Sequence, residues 1–341
     1  MPPLTSPALA LAAAVVTWGA VTVLERRCPP SLRDRSDEAR GKPRIGGLAI
    51  LMGLAVALPL DPAGWRVLLP VALATMVGLH DDATDSPPVQ RLLLLGVIAV
   101  GAACLSLPPE LFASPVNLPV LGMAAIPIAF FILCVTVGFD FIDGLDGLAP
   151  GLVLVALVPV LWMAPAPWLV AATASAATYL ALSNRPPAKT LLGDAGSNGL
   201  GMLAALAVLH PRWAQVPAFL DERHDFFGPD PFSVWAGPLA LVGLVAVPLL
   251  DLVTTIVRRL RIGDLPSGER GHMHYRLADL HDSARLAVLE LVGVGALCGV
   301  VATISFLMPW RIPEAVPGAL LALSLLLWRT RATRPAPSDS R

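Results

Sequence analysis

Long apolar runs separated by short polar segments follow one another along almost the whole chain of 341 residues. A helix that crosses a membrane needs roughly 20 mostly apolar residues, with a range of about 17–25. The pattern therefore predicts an all-α fold, a polytopic membrane helix bundle of about 10–11 transmembrane helices. The candidate spans are 7–25, 45–60, 65–79, 92–107, 119–138, 148–164, 167–183, 196–210, 234–257, 284–308 and 313–328.

No polar linker divides these runs, so we expect one integral membrane domain over residues 1–328 and a polar cytoplasmic tail over 329–341. The first run has no basic residue before it, and Arg26 and Arg27 follow it. A secretory signal peptide has the opposite arrangement. The flanking charges thus predict a retained first span with its N-terminus outside.

The basic residues test this orientation along the rest of the chain. With the N-terminus outside, the segments between spans fall alternately on the two sides of the membrane. Only four of the 24 Lys and Arg residues then lie outside, namely Arg66, Arg212, Arg223 and Arg311. Because positive residues are retained on the cytoplasmic side, the distribution supports the predicted orientation.

Composition agrees with a membrane protein. Charged residues make up 14% of the chain, against about 25% in an average soluble domain. The cysteines are scattered, so they predict neither a disulfide framework nor a zinc site. No nucleic-acid partner is expected. The four cysteines are Cys28, Cys104, Cys134 and Cys298.

Four polar motifs all fall on the predicted cytoplasmic face. They occupy residues 80–85, 140–147, 192–197 and 270–276. Taken singly, each motif is more often a helix cap, a solvated turn or a surface feature. Their coincidence on one face, which was assigned from apolar runs and basic residues alone, favours a functional site.

The chemistry of these motifs indicates phosphoryl transfer. Their aspartates are expected to have almost no neighbouring Lys or Arg and so to repel one another, and a hard divalent cation such as Mg²⁺ would remove that repulsion. Glycine-rich turns offer backbone N–H groups to phosphate. The arginines around the His-x-His group suit a diphosphate. The six aspartates are Asp81, Asp82, Asp140, Asp143, Asp146 and Asp194.

The order and spacing of these motifs resemble the polyprenyl-phosphate N-acetylhexosamine-1-phosphate transferases of glycosyltransferase family 4. The resemblance implies a multi-pass protein of the bacterial cytoplasmic (inner) membrane, and a homodimer is compatible with it. The implied reaction converts a UDP-N-acetylamino sugar and polyprenyl phosphate into polyprenyl-diphosphate-sugar and UMP, with Mg²⁺ or Mn²⁺. The segments that carry the resemblance are 43–47, 81–82, 143–149, 186–189, 193–197 and 272–274.

The resemblance also implies roles for individual residues. Asp81 and Asp82 would bind or deprotonate the lipid phosphate, and Asp194 would be a catalytic Mg²⁺ ligand. The family usually has Asn-x-x-Asn where this chain has Val137 and Asp140, so we expect Asp140 to be the second metal ligand. The expected substrate-binding residues are Asp143, Asp146, Lys189, Arg270, His272 and His274.

Three alternatives remain open from the sequence. The chain has Tyr275 where a third histidine is common, which places it closer to the GlcNAc-1-phosphate branch than to the phospho-MurNAc-pentapeptide translocase of peptidoglycan synthesis. A transporter would carry its acids near the bilayer midplane, whereas these lie at span ends. Val137 motivates the third alternative, a non-catalytic relative.

Overall fold

The computed structural model describes residues 5–34, 41–107, 118–221, 241–262, 271–307 and residue 323. Within these ranges the chain forms eleven α-helices and no β-strand, apart from two isolated bridges. The helices are α1 Thr5–Arg27, α2 Gly46–Ala55, α3 Trp65–Thr84, α4 Pro88–Ser106, α5 Leu118–Ile142, α6 Leu148–Met163, α7 Pro167–Tyr179, α8 Gly193–Asp221, α9 Ala246–Ile262, α10 Met273–His281 and α11 Ala284–Leu307. The predicted helix bundle is confirmed.

The apolar runs locate most helices well. Every predicted span that reaches the described residues overlaps a helix, while the run 313–328 lies outside them except for residue 323. Four helical segments of the described chain are long and apolar enough to cross a membrane, so the protein is an integral membrane protein. They are Ser6–Arg27, Pro88–Ser106, Ala125–Ile142 and Ala284–Leu307.

Two local predictions need correction. The predicted span 45–60 is helical only over Gly46–Ala55, and turns follow it up to Leu60. Pro59 lacks a backbone N–H and disfavours a helical conformation in the residue before it, which explains why the helix is short. The helix Met273–His281 was not predicted, because its many polar residues give no apolar run.

Helix α8 lies at the centre of the bundle and packs against α2, α3, α5 and α6. Its described residues from Leu200 to Val208 are almost all buried. A Cβ atom at Gly78 of α3 would overlap the backbone carbonyl of Asp194, so glycine is required for this close approach. The contact brings the end of α3 against the first turn of α8.

The predicted cytoplasmic segments meet at this end of the bundle. The backbones of Arg44 and Leu191 form an isolated parallel β-bridge, and the Gly46 N–H donates to the Leu191 carbonyl at 3.1 Å. The Arg285 guanidinium donates to the carbonyl of Pro186 at 2.9 Å. Segments that are far apart in sequence therefore build one surface around the start of α8.

Large apolar side chains are exposed on the outside of the bundle. Val97, Phe130, Trp162 and Leu289 each have about 70% of their surface exposed. In water such a surface would favour aggregation. In a bilayer it contacts lipid tails, which agrees with the membrane-spanning lengths of the helices.

Candidate active site

Three aspartates from three helices converge on the guanidinium group of Arg91, near the start of α4. Arg91 Nη1 lies 2.7 Å from Asp194 Oδ2 and also contacts Asp81 Oδ2. Arg91 Nη2 lies 3.1 Å from Asp140 Oδ2. The side chain of Asp194 is the most exposed of the three, at 35%. Three of the predicted site residues thus share one small polar volume that is open to ligands on the Asp194 side.

Asp82 connects α3 to the start of α8. Its carboxylate accepts the backbone N–H groups of Asp194 at 3.1 Å and Ala195 at 3.0 Å. These are unpaired donors of the first helical turn, where a negative charge is also favoured by the helix dipole. Gly193, with φ of 73°, turns the chain into the helix next to this carboxylate. Asp82 therefore holds the turn from which Asp194 projects.

The expectation that few basic residues surround the aspartates is wrong in three dimensions. Arg44 Nη1 lies 3.2 Å from Asp82 Oδ1, and its other nitrogens bind Asp34. Arg91 binds three more aspartates, as described above. The error arose because sequence proximity was used as a measure of spatial proximity. These two arginines already relieve part of the repulsion that suggested a divalent cation.

Asp140 is held from two sides. Its Oδ1 accepts a hydrogen bond from Ser197 Oγ at 3.0 Å, and its Oδ2 faces Arg91. Ser197 lies one turn after Asp194 on α8, so the two aspartates are coupled through both α8 and Arg91. Val137 lies one turn earlier on α5 and is half-buried. Its side chain offers no polar group to the cluster.

Asp143 and Asp146 lie in the turn between α5 and α6. Burial raises the pKa of Asp143 to about 8, and the nearby charges of Asp140, Asp82 and Asp146 act in the same direction. Asp146 Oδ2 accepts the backbone N–H of Ala188 at 2.8 Å. Asp146 therefore joins this turn to the loop before α8, whereas Asp143 lies close to the acidic cluster.

The histidines lie beside the same turn. The His272 ring makes an edge contact with Phe141, with ring centroids 5.4 Å apart, and it stacks on His274 at 5.6 Å. His274 is buried, and its ring nitrogens make no hydrogen bond to any described residue. Burial lowers the pKa of His274 to about 4, so the ring is neutral at pH 7.

Lys189 and Arg270 are the two predicted site residues that remain. The side chain of Lys189 is exposed in the loop before α8, and Arg270 lies outside the described residues. Sequence reasoning missed Arg44, Arg91 and Asp251. Asp251 carried a usable signal, because an ionisable residue inside a predicted span marks a functional site by default.

The donor set of the cluster fits a hard divalent cation. Mg²⁺ prefers carboxylate oxygens together with water and phosphate oxygens, and Asp140 and Asp194 supply carboxylates to one volume. Over the described residues, no three His, Cys, Asp or Glu side chains already form a metal-binding arrangement. Arg91 is the cation among the carboxylates in this structure.

An apolar groove runs along the outside of α4 and α5, next to Arg91. Its volume is about 540 Å³, and its lining includes Leu92, the residue after Arg91. No charged or polar side chain of the described residues lines it. The lining residues are Leu92, Leu93, Gly96, Val97, Val100, Ala129, Phe130 and Leu133.

Comparison with known proteins identifies relatives of this chain. Residues 65–211 match the family model for glycosyl transferase family 4. The chain is 28% identical to the decaprenyl-phosphate N-acetylglucosaminephosphotransferase of Mycobacterium leprae, over 91% of this chain and 86% of the relative. It is 27% identical to the undecaprenyl-phosphate alpha-N-acetylglucosaminyl 1-phosphate transferase of Yersinia pestis, over 84% and 79%. The resemblance predicted from the motifs is confirmed.

A relative from Bacillus subtilis adds a third comparison. This protein is a probable undecaprenyl-phosphate N-acetylglucosaminyl 1-phosphate transferase. It is 28% identical to the chain, over 77% of this chain and 73% of the relative. The matched family region contains Asp81, Asp140 and Asp194, together with Arg91.

Proposed function

We propose, from the match to glycosyl transferase family 4 and from the acidic cluster around Arg91, that this chain transfers N-acetylglucosamine 1-phosphate from UDP-GlcNAc to a polyprenyl phosphate. The products are polyprenyl-diphosphate-GlcNAc and UMP. The main support is the convergence of Asp81, Asp140 and Asp194 on one cation, beside a lipid-sized apolar groove. The relatives are named for polyprenyl phosphate acceptors, decaprenyl phosphate and undecaprenyl phosphate, and for N-acetylglucosamine.

The groove and the cluster divide the acceptor between them. The polyprenyl chain lies along α4 and α5, and its phosphate enters the polar volume beside Arg91. The guanidinium group binds phosphate oxygens well, because its donors match their geometry. Burial of the lipid chain outside the helices leaves the reacting phosphate at the membrane surface, where a soluble nucleotide sugar can reach it.

Asp81 is the better-placed base of the Asp-Asp pair. Both oxygens of Asp82 accept hydrogen bonds at the start of α8, so Asp82 positions Asp194. Asp81 is held by the Ser86 N–H at 2.8 Å and by Arg91. Asp81 accepts the proton of the lipid phosphate if that phosphate arrives protonated. An oxygen of the phosphate then bonds to the sugar-bearing phosphorus of the donor, whose bond to the UMP oxygen breaks.

The donor occupies the other side of the cluster. Asp143 and Asp146 lie in the turn proposed to bind the nucleotide, while Lys189 and the His272 region flank the diphosphate. Asp140 and Asp194 would hold Mg²⁺, which supplies charge neutralisation to the diphosphate. The hydrogen bond from Ser197 keeps Asp140 oriented toward this volume.

Labelled UDP-GlcNAc tests this proposal directly. Membranes that contain the chain are incubated with UDP-[¹⁴C]GlcNAc, polyprenyl phosphate and Mg²⁺, and the lipid extract and UMP are quantified. We expect equal amounts of labelled lipid and UMP, and no product from an Asp194→Asn variant. A panel that includes UDP-MurNAc-pentapeptide tests the runner-up reaction. If only UDP-MurNAc-pentapeptide gave product, GlcNAc would not be the transferred sugar. If no donor gave product, the proposal that the chain is a sugar-phosphate transferase would be wrong.

A further inference from the structure

We propose that Asp251 is a positioning residue that fixes the ring proton of His272 on Nδ1, and thereby presents Nε2 to the diphosphate of the donor. The inference rests on the proposed function for its catalytic consequence. Its structural basis is independent, because it comes from the contacts between α9 and the segment that begins α10.

Asp251 is an isolated acid in the first half of α9 and is fully buried. A carboxylate is costly to bury unless hydrogen-bonding groups compensate for the loss of water. Here the carboxylate has two close partners. Oδ2 lies 2.9 Å from His272 Nδ1, and Oδ1 accepts the backbone N–H of Met273 at 2.9 Å.

The pair determines which nitrogen of His272 carries the proton. A carboxylate only accepts hydrogen bonds, so Nδ1 must be the donor. The second ring nitrogen, Nε2, makes no hydrogen bond to any residue in the described part of the chain, and the side chain keeps 13% of its surface exposed. A neutral ring therefore carries a lone pair on Nε2, and a protonated ring carries a donor there.

Neighbouring side chains hold the same ring without determining its protonation. Thr255 lies one turn after Asp251, and its hydroxyl oxygen is 3.3 Å from His272 Nδ1. The edge contact with Phe141 places the ring beside the residue that follows Asp140. The ring is thus aligned at the border of the acidic cluster, where the donor diphosphate is proposed to bind.

This arrangement suits stabilisation of the leaving UMP. When the ring is protonated on both nitrogens, Nδ1–H donates to Asp251 and Nε2–H can donate to an oxygen of the diphosphate. Negative charge grows on the UMP oxygen as its bond to phosphorus breaks. A hydrogen bond that strengthens at that stage increases kcat more than it improves binding of the donor.

Asp251→Asn is the informative substitution. The amide oxygen can still accept the Met273 N–H, while its NH₂ group faces Nδ1. Nδ1 must then accept a hydrogen bond, so the ring holds its proton on Nε2 alone and cannot be the doubly protonated ring that donates to the diphosphate. We expect kcat to fall about 10–100-fold, as for other partners that orient a functional histidine, with the KM for UDP-GlcNAc changed less than about threefold. Thr254→Val, which removes a hydroxyl that donates to the backbone carbonyl of Asp251 at 3.1 Å, is the matched control, and we expect its kcat to stay within about twofold of the wild type.

A double-variant cycle separates positioning from general stability. If Asp251 acts through His272, Asp251→Asn combined with His272→Gln is no slower than His272→Gln alone. The proposal would be overturned if the fold-losses of kcat from the two single variants multiplied in the double variant. A normal kcat for Asp251→Asn would also overturn it.

The ¹⁵N shifts of His272 in the wild-type protein supply a test that needs no active variant. The signal is assigned by its loss in His272→Gln, and we expect the neutral ring to be protonated on Nδ1. A ring protonated on Nε2 would refute the positioning role even if Asp251→Asn fails to fold. If wild-type protein shows no transfer at all, the proposed function fails, while this measurement still decides the Asp251–His272 contact.

Discussion

Arg91 is the residue whose removal most directly tests the acidic cluster. Arg91→Gln deletes the only side-chain cation that contacts Asp81, Asp140 and Asp194 in the described structure. Glutamine keeps part of the length of the side chain and a hydrogen-bonding head, but no charge. The three carboxylates then face one another in a partly buried volume without a counter-ion.

The expected loss of stability follows from this geometry. Removing one partner of a buried ion pair costs about 3–5 kcal/mol. The Asp194 side chain keeps 35% of its surface exposed, so we take the lower end, about 3 kcal/mol. At about 2 °C for each kcal/mol in a large domain, the melting temperature without divalent cations falls by about 6 °C.

Mg²⁺ should reverse this loss if the cluster also binds metal. A bound ion stabilises the folded state in proportion to the logarithm of its concentration over its dissociation constant. We therefore expect Mg²⁺ to raise the melting temperature of Arg91→Gln more than that of the wild type. Arg66→Gln, an exposed arginine at the other end of α3, is the control and should behave like the wild type.

Thermal unfolding in detergent, measured with EDTA and over a series of Mg²⁺ concentrations, supplies the data. Activity of Arg91→Gln is recorded in parallel, and we expect turnover to be lower at every Mg²⁺ concentration because a phosphate-binding group is lost. Equal melting temperatures for wild type and Arg91→Gln in EDTA would refute the cluster geometry. An equal response of the two proteins to Mg²⁺ would refute a shared metal volume.

Three other predictions address single features of the account. Asp140→Asn should stay active with a higher Mg²⁺ requirement, while Asp140→Ala should be severely impaired. If the initial rate of Asp140→Ala depended on Mg²⁺ concentration as the wild-type rate does, Asp140 would not be a ligand. Asp81→Asn should lower turnover about 10²-fold or more. Asp82→Asn should instead weaken the hydrogen bonds at the start of α8 and reduce the free energy of unfolding by about 1 kcal/mol. If Asp82→Asn lost turnover and Asp81→Asn lost stability, the two roles would have to be exchanged. In a cysteine-free background, Ser31→Cys should be protected from an impermeant reagent in intact cells and Leu60→Cys should react, whereas labelling at Ser31 would overturn the orientation.

The sequence predicts the helices well because membrane insertion depends on a property that is local in sequence. Each apolar run must satisfy its own backbone hydrogen bonds within the bilayer, so a helix follows from the run itself. Helix α10 escaped prediction because the segment Met273–His281 is short and carries several polar residues. Pro59 was present in the sequence, and its effect on the end of the second span was recoverable.

The site is only partly predictable for a related reason. The motifs identify the aspartates, but their partners depend on packing between distant segments. Arg91 and Asp194 form an ion pair although they are 103 residues apart. No local pattern marks Arg91, since a basic residue near a span end is expected from topology alone. The role of Asp82 at the start of α8 likewise depends on how α3 meets that helix.

The central claim is that GlcNAc 1-phosphate, and not the sugar alone, is transferred to the lipid. An assay with UDP-GlcNAc that carries ³²P at the sugar-bearing phosphorus tests this claim most directly. We predict that this label moves with the sugar into the lipid extract, in equal amount to the UMP released, and that Asp194→Asn abolishes the movement. If the sugar reached the lipid while the label remained in UDP, the protein would transfer a glycosyl group instead of a sugar phosphate. That result would contradict the proposed reaction at the acidic cluster.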